Sequence, residues 1–436
     1  MPGDRSLIVR PARSIQGLVR IPGDKSISHR YAMLAAIARG TSRFHNFSPA
    51  EDCASTLGCV AALGATWRRG EEGAIEVTGI GPALKAPAAP LDCANSGSTI
   101  RMLSGLLAGQ SFSSELFGDE SLSRRPMARI IKPLSEMGAT ITSSEGERPP
   151  LKIRGGKLRA IHYQPEVASA QVKTCVLFAG LFADGETMVE EPIRTRDHGE
   201  LALQAFGAEV ARKKAERGGN VASIRGGQPL TAIEAHVPGD LSSAAFFLCA
   251  AALFPGSHIP LPGILMNPTR ARLLDILVQM GLQISVGHIE QHHGELIGAI
   301  EVRGAKWLGG TIAGADTAAL IDEIPVLAAA APYSENGLEV RDAKELRVKE
   351  SDRIAAVATN LRKMGAEVEE LPDGLRVPGR QKLHGADLDS FGDHRIAMAF
   401  AVAALRAEGE TLIHGADAAG VSYPTFFSDL RSIAEE

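Results

Sequence analysis

The feature that most limits what this chain can fold into is a turn that keeps returning. Six times a short polar stretch opens directly into an almost wholly apolar helical segment. The six are "PGDKSISHRYAMLAAIA" (22–38), "ANSGSTIRMLSGLLAG" (94–109), "ASAQVKTCVLFAGLFA" (168–183), "PGDLSSAAFFLCAAALF" (238–254), "DEIPVLAAAA" (322–331) and "GDHRIAMAFAVAAL" (392–405). A helix that is apolar all round has to be buried all round. Five further segments end in glycine and pass straight into a strand: "LGATW" (63–67), "MGATI" (137–141), "FGAEV" (206–210), "MGLQI" (280–284) and "MGAEV" (364–368). Glycine suits the left-handed residue that closes a helix. The copies stand roughly seventy to eighty residues apart, longer than the common solenoid repeats. Each reads as apolar helix, amphipathic helix, strand, hairpin, strand. The sixth, from Gly392, runs out of chain before its glycine-to-strand step. The N-terminal stretches "SLIVRP" and "GLVRIPG" are spare, so the N-terminus is expected to close the last unit. The domain holding the C-terminus is then discontinuous, with hinges near Pro22 and Pro238–Asp240.

A chain of 436 residues that is 44% hydrophobic and 22% charged can bury two or three cores. Its net charge of −5 speaks against a nucleic-acid or anionic-membrane partner, which needs a broad positive field. Small anionic substrates feel only a local cluster and stay open. The five scattered cysteines form no CxxC pair, so neither a disulfide framework nor a zinc knuckle is expected. "MPGDRSLIVR" has no signal core or transit pattern. The apolar run 244–254 is too short to span a bilayer. A cytoplasmic enzyme is the expectation.

Backbone N–H groups at a helix start are unpaired and carry partial positive charge, so each mouth is an anion seat in waiting. Lys25 and Arg30, Arg101, Lys173 and Arg395 add cations at the mouths. Arg125, Arg196, Lys349 and Arg353 stand in loops. One surface cation is usually idle; recurrence at one point of a repeated unit is not explained that way. Guanidinium forks suit carboxylate and phosphate oxygens. Two acids stand among these cations. Asp322 has a capping alternative, and Glu350 could merely pair one helical turn away; Asp393 and His394 have structural alternatives of the same kind. "GDKS" is no nucleotide P-loop, since Asp24 precedes Lys25, and no GxGxxG follows a strand, so no cofactor is expected. His288, His292 and His293 in "HIEQHHGEL" invite a metal, but they lack a second ligand group at metal spacing, and none is expected.

"PGDKSISHR", "NSGSTIR", "GDESLSRRPM", "SAQVK", "DEIPVLAAAA", "KESDR" and "GDHRIAMA", in this order, resemble the 5-enolpyruvylshikimate-3-phosphate synthase family, with a weaker likeness at "SYPTFF" (422–427). The resemblance implies an α/β fold of two similar domains, each of three βαβαββ units, an inverse α/β prism. Residues 1–22 with 241–436 would form one domain and 23–240 the other, with the active site in the cleft between them. It implies transfer of the enolpyruvyl group of phosphoenolpyruvate to the 5-hydroxyl of shikimate 3-phosphate, by a monomer. Lys25, Ser26, Arg30, Ser169, Ala170, Gln171, Arg196, Asp322 and Lys349 would hold shikimate 3-phosphate. Lys25, Gly97, Arg125, Gln171, Arg353 and Arg395 would hold phosphoenolpyruvate. Asp322, Glu350 and Lys25 would move the protons.

Two positions depart from the pattern. Val421 stands where many relatives carry Lys, and Ala170 replaces the second Ser of Ser-Ser-Gln. Gly97 implies sensitivity to glyphosate, the phosphoenolpyruvate-site inhibitor, since tolerant relatives tend to carry Ala there. The sister transferase acting on UDP-N-acetylglucosamine typically uses a Cys five residues before the Arg of the Arg-Pro pair, and here that residue is Glu120. A non-catalytic anion-binding scaffold is disfavoured by the acidic total and the few aromatics.

Overall fold

A computed structural model describes residues 6–215 and 219–435. The chain divides into two compact units. The inserted unit comprises 23–237 and 291–295; the terminal unit comprises 1–22, 238–290 and 296–436. The second division falls at Val237/Pro238 and not after Asp240. The reason is local: the Gly239 N–H donates to the Gly263 carbonyl (2.7 Å) and the Asp240 N–H to the Pro22 carbonyl (2.9 Å), tying both to the terminal unit. Nothing in the sequence marked 291–295, a short piece of the hairpin Gln283–His292/Glu295–Arg303, for the other unit.

The inserted unit is one pattern used three times. Leu91–Asp92 runs parallel to Ser113–Phe117, which is antiparallel to Arg148–Arg154, which is antiparallel to Thr140–Ser144. His162–Tyr163, Glu186–Glu191, Asn220–Arg225 and Val210–Lys214 repeat that order. The remaining sheet takes its first strand, Glu234–His236, from the end of the unit and sets it parallel to Arg39–His45. The apolar helices Lys25–Ile37, Gly97–Ala108 and Ala170–Gly180 are buried almost throughout. Small residues let them approach: a Cβ on Gly105 would stand 2.2 Å from the Cys175 carbonyl oxygen.

The terminal unit repeats the plan around Leu241–Leu253, Ile324–Ala330 and His394–Ala404. Its middle sheet has four strands in the same order, Gly310–Ile312, Leu338–Val340, Gly374–Val377 and Glu369–Leu371. In the last sheet Leu7–Val9 pairs antiparallel to Thr411–His414, so "SLIVRP" does close the final repeat. "GLVRIPG" does not. It lies along His258–Leu265 instead, joined by a bridge at Gln16 and by Gly17 N–H to His258 O (3.2 Å) and Val19 N–H to Pro260 O (3.1 Å), without forming a regular strand of that sheet. The five glycines read as helix stops, Gly64, Gly138, Gly207, Gly281 and Gly365, all have positive φ.

Candidate active site

In the inserted unit, Asp24 starts the helix Lys25–Ile37 by accepting from the Ile27 N–H at 2.9 Å. That fixes Lys25 in the first turn, where its Nζ lies 2.7 Å from Asp52 Oδ2. Arg30 is buried; its Nη1 donates to the Ser26 carbonyl (2.8 Å) and its Nη2 to Thr174 Oγ1 (2.9 Å). Burial draws the Arg30 pKa down to about 10, with Glu200 and Asp24 opposing and Arg196 adding to the fall, so it stays a cation at neutral pH.

Ser96 caps the helix Gly97–Ala108 by accepting from the Thr99 N–H (3.1 Å). A Cβ on Gly97 would stand 2.9 Å from Arg101 Nη1 and 3.3 Å from Arg125 Nη1, so the missing side chain leaves room for two guanidiniums. Asn95 Oδ1 (2.6 Å) and Ser121 Oγ (3.1 Å) aim Arg125. Arg101 donates to Gln171 Oε1 (2.8 Å), and Gln171 Nε2 donates to Ser98 Oγ (2.8 Å), joining this mouth to the next. There Ser169 caps Ala170–Gly180, accepting from the Val172 N–H at 3.5 Å. Lys25, Ser26, Arg30, Gly97, Arg125, Ser169, Ala170 and Gln171 thus gather at the first turns of three helices, and Arg196 stands half-buried within electrostatic reach of Arg30.

Lys173 does not join them. It is 1% exposed, with its Nζ 2.8 Å from both Glu191 Oε2 and Glu200 Oε1. Burial would lower its pKa, but the two carboxylates outweigh that and raise it. Fully neutralised, it holds the unit together and is no seat for an anion.

In the terminal unit the centre is Arg353, 2% exposed at the start of Arg353–Lys363. Its Nε and Nη2 donate to Asp393 (2.8 and 3.3 Å), and Nη2 also donates to Glu350 Oε2 (2.6 Å). Its Nη1 has no hydrogen-bond partner among the described residues and lies 3.6 Å from Asp322 Oδ1. Burial would lower the Arg353 pKa, yet Asp393 and Glu350 raise it. Lys349 Nζ is 3.9 Å from Asp322 Oδ1. Arg395 Nη1 donates to the Asp322 carbonyl (2.7 Å), so Asp322, Lys349, Glu350, Arg353 and Arg395 form one cluster.

The capping alternative for Asp322 fails: Ile324–Ala330 follows Glu323 and has no side-chain cap, which leaves the Asp322 carboxylate turned to its cations. Asp393 is the residue that caps, accepting from the Arg395 N–H at 2.9 Å. Asp52, Asn95, Thr174 and the Asp393–Arg353 pairing were not singled out from sequence. Asp52 stands in the first turn of Glu51–Ala62, the one signal that could have drawn attention to it.

Val421 ends the turn Ala416–Val421 and supplies no cation there. Glu120 is exposed and paired with Arg124. The five cysteines are buried, and burial raises the Cys53, Cys175 and Cys249 thiols far above the usual range. His293 Nε2 lies 2.9 Å from the Glu234 carbonyl oxygen. Among the described residues no three His, Cys, Asp or Glu side chains are placed to hold a metal ion, and no helix is long and apolar enough to cross a membrane.

Two units of repeated βαβαββ pattern, with cations and carboxylates at the mouths of their buried helices, define the two-domain enolpyruvyl transferase fold. The chain belongs to the EPSP synthase (3-phosphoshikimate 1-carboxyvinyltransferase) family, whose model matches residues 9–430. It is 60% identical over 431 residues to the 3-phosphoshikimate 1-carboxyvinyltransferase of Koribacter versatilis, covering 99% of this chain and 100% of that one. To the enzyme of the same name from Solibacter usitatus it is 57% identical over 437 residues, covering 98% and 99%. The solved EPSP synthase from Acinetobacter baumannii superposes with a TM-score of 0.87 at 40% identity, over 99% of this chain and 98% of that one.

Proposed function

We propose that this protein transfers the enolpyruvyl group of phosphoenolpyruvate to the 5-hydroxyl of shikimate 3-phosphate and releases phosphate. The observation that carries the reading is the pair of carboxylates, Asp322 and Glu350, set on the single buried guanidinium of Arg353 at 3.6 and 2.6 Å. An addition followed by an elimination needs one acid–base group for the hydroxyl and another for carbon.

Asp322 takes the hydroxyl proton as the oxygen bonds to C2 of phosphoenolpyruvate. Glu350, with Lys25, delivers a proton to C3, giving a tetrahedral adduct. The bond from C2 to the phosphate oxygen then breaks, Glu350 with Lys25 takes a proton back from C3, and the vinyl group is restored on the new ether as phosphate leaves. The substrates bring two phosphates and two carboxylates, so the reaction needs several cations. Ser26, Arg30, Ser169, Ala170, Gln171 and Arg196 hold shikimate 3-phosphate, with Lys349 beside it. Lys25, Gly97, Arg125, Gln171, Arg353 and Arg395 hold phosphoenolpyruvate. Buried helix mouths keep these groups in place before the charges develop, which is where such sites gain most.

The test is phosphate release from phosphoenolpyruvate with shikimate 3-phosphate or UDP-N-acetylglucosamine supplied separately. Release with the former alone is expected. Release with the latter alone, or with neither, overturns the proposal.

A further inference from the structure

The three buried helices of the terminal unit have a second end. Leu241–Leu253, Ile324–Ala330 and His394–Ala404 begin beside Asp240, Asp322 and Asp393, and their C-terminal ends meet around a cavity of about 520 Å³. A helix of eleven residues separates its ends by about 16 Å, so the cavity lies away from the cluster at Asp322. Its size is that of a small-molecule site.

Its wall has an uneven balance of charge. Four cations, Lys306, Arg380, Lys382 and Arg406, line it against two carboxylates, Glu335 and Glu408. Glu335 is taken up by Arg380 at 2.7 Å and Lys306 at 3.5 Å. Arg406 lies over the Phe254 ring, 5.2 Å from its centroid. Neither Arg406 nor Lys382 has a carboxylate partner among the described residues. The floor is apolar, from Ala252, Leu253, Pro255 and Leu383.

The wall's hydroxyls are spoken for: Tyr333 donates to the Ala403 carbonyl (3.0 Å) and Ser334 to that of Ala331 (2.7 Å). Trp307 is the exception. It is 5% exposed and lines the cavity, while its Nε1–H is closed off from solvent and meets no acceptor among the described residues. Buried donors left unpaired are rare.

We infer that this cavity binds a small carboxylate carried on an apolar ring, the ring on the Leu253–Leu383 floor beside the Trp307 side chain and the charge met by Lys382 and Arg406. The site is independent of the proposed reaction and serves a ligand other than its substrates.

Benzoate is the probe, with benzamide as its neutral counterpart. The chain has two tryptophans, and Trp67 is exposed, so a Trp67→Phe background makes Trp307 the sole indole reporter. Benzoate is expected to change Trp307 emission saturably, in the presence of saturating phosphoenolpyruvate and shikimate 3-phosphate as in their absence. Lys382→Ala with Arg406→Ala should weaken binding at least tenfold, and benzamide should bind at least tenfold more weakly than benzoate. Equilibrium dialysis of labelled benzoate against the Lys382→Ala, Arg406→Ala variant should show the same loss; if that variant does not fold, Lys382→Ala alone decides. Equal binding of benzamide, displacement by the substrates, or no effect of removing Lys382 and Arg406 would each overturn the inference, and none of these outcomes bears on phosphate release.

Discussion

Asp393 holds Arg353 with two hydrogen bonds, at 2.8 and 3.3 Å, while the same carboxylate caps the helix His394–Ala404. One buried acid therefore starts a core helix and fixes the cation on which Glu350 and Asp322 converge. Asp393→Ala should lose about 1 kcal/mol for the cap and roughly 3–5 kcal/mol for a buried guanidinium deprived of its main counter-ion. Asp393→Asn keeps a capping oxygen and should lose less. Urea unfolding of the two variants separates the terms, and a loss below 1 kcal/mol in Asp393→Ala would refute the pairing.

Removing the proposed base should separate binding from chemistry. Asp322→Ala is expected to cut turnover by about 10²–10⁴-fold, the range for a positioned acid or base. Shikimate 3-phosphate should still protect the variant from heat, because Arg30 and the helix mouths of the inserted unit are untouched. Lost protection with intact turnover would assign Asp322 a binding role.

His29 makes stability depend on acid. Burial first, then the charges of Lys25 and Arg30, hold its pKa well below 6.5, and its Nδ1 is 2.7 Å from Thr56 Oγ1. The folded state keeps it neutral while the unfolded chain takes up the proton more readily. Its contribution is therefore complete above pH 6.5 and falls as pH drops toward the folded value, by at most about 1.4 kcal/mol per pH unit. Thermal melts between pH 7 and pH 5 should decline less steeply in His29→Gln. Parallel curves would show that this imidazole does not titrate on unfolding.

Gly97→Ala tests how closely that helix mouth is packed. The new methyl meets Arg101 and Arg125 at 2.9 and 3.3 Å, both at the flexible ends of their side chains, so the guanidiniums shift and the fold persists. KM for phosphoenolpyruvate should rise severalfold and inhibition by glyphosate should weaken, with the melting temperature nearly unchanged. Steady-state kinetics at fixed shikimate 3-phosphate give both numbers, and unchanged inhibition would mean the two guanidiniums do not frame that ligand.

Much of the architecture is written locally and could be read from the chain. Asp24 and Ser96 cap within three residues, and each helix-stopping glycine needs only its own φ. The Glu350–Arg353 contact joins residues three apart in the chain. The N-terminal stretches show where such reading ends. "SLIVRP" and "GLVRIPG" are equally good strands, and only the sheets they meet sent one to Thr411–His414 and the other to His258–Leu265.

The same limit governs the cations. Lys25 and Lys173 both follow a polar turn into an apolar helix, and by sequence they are equivalent. Lys25 lies in the first turn and keeps 19% of its side chain exposed beside Asp52, whereas Lys173 stands one turn further in, sealed between Glu191 and Glu200. The sequence by itself determined the repeat, the helix starts and the residue types at their mouths, because these depend on neighbours a few positions away. Only the tertiary structure decided which charges meet a carboxylate and which remain available, because Asp393 and Arg353, forty residues apart, become neighbours only once the helices that carry them are packed.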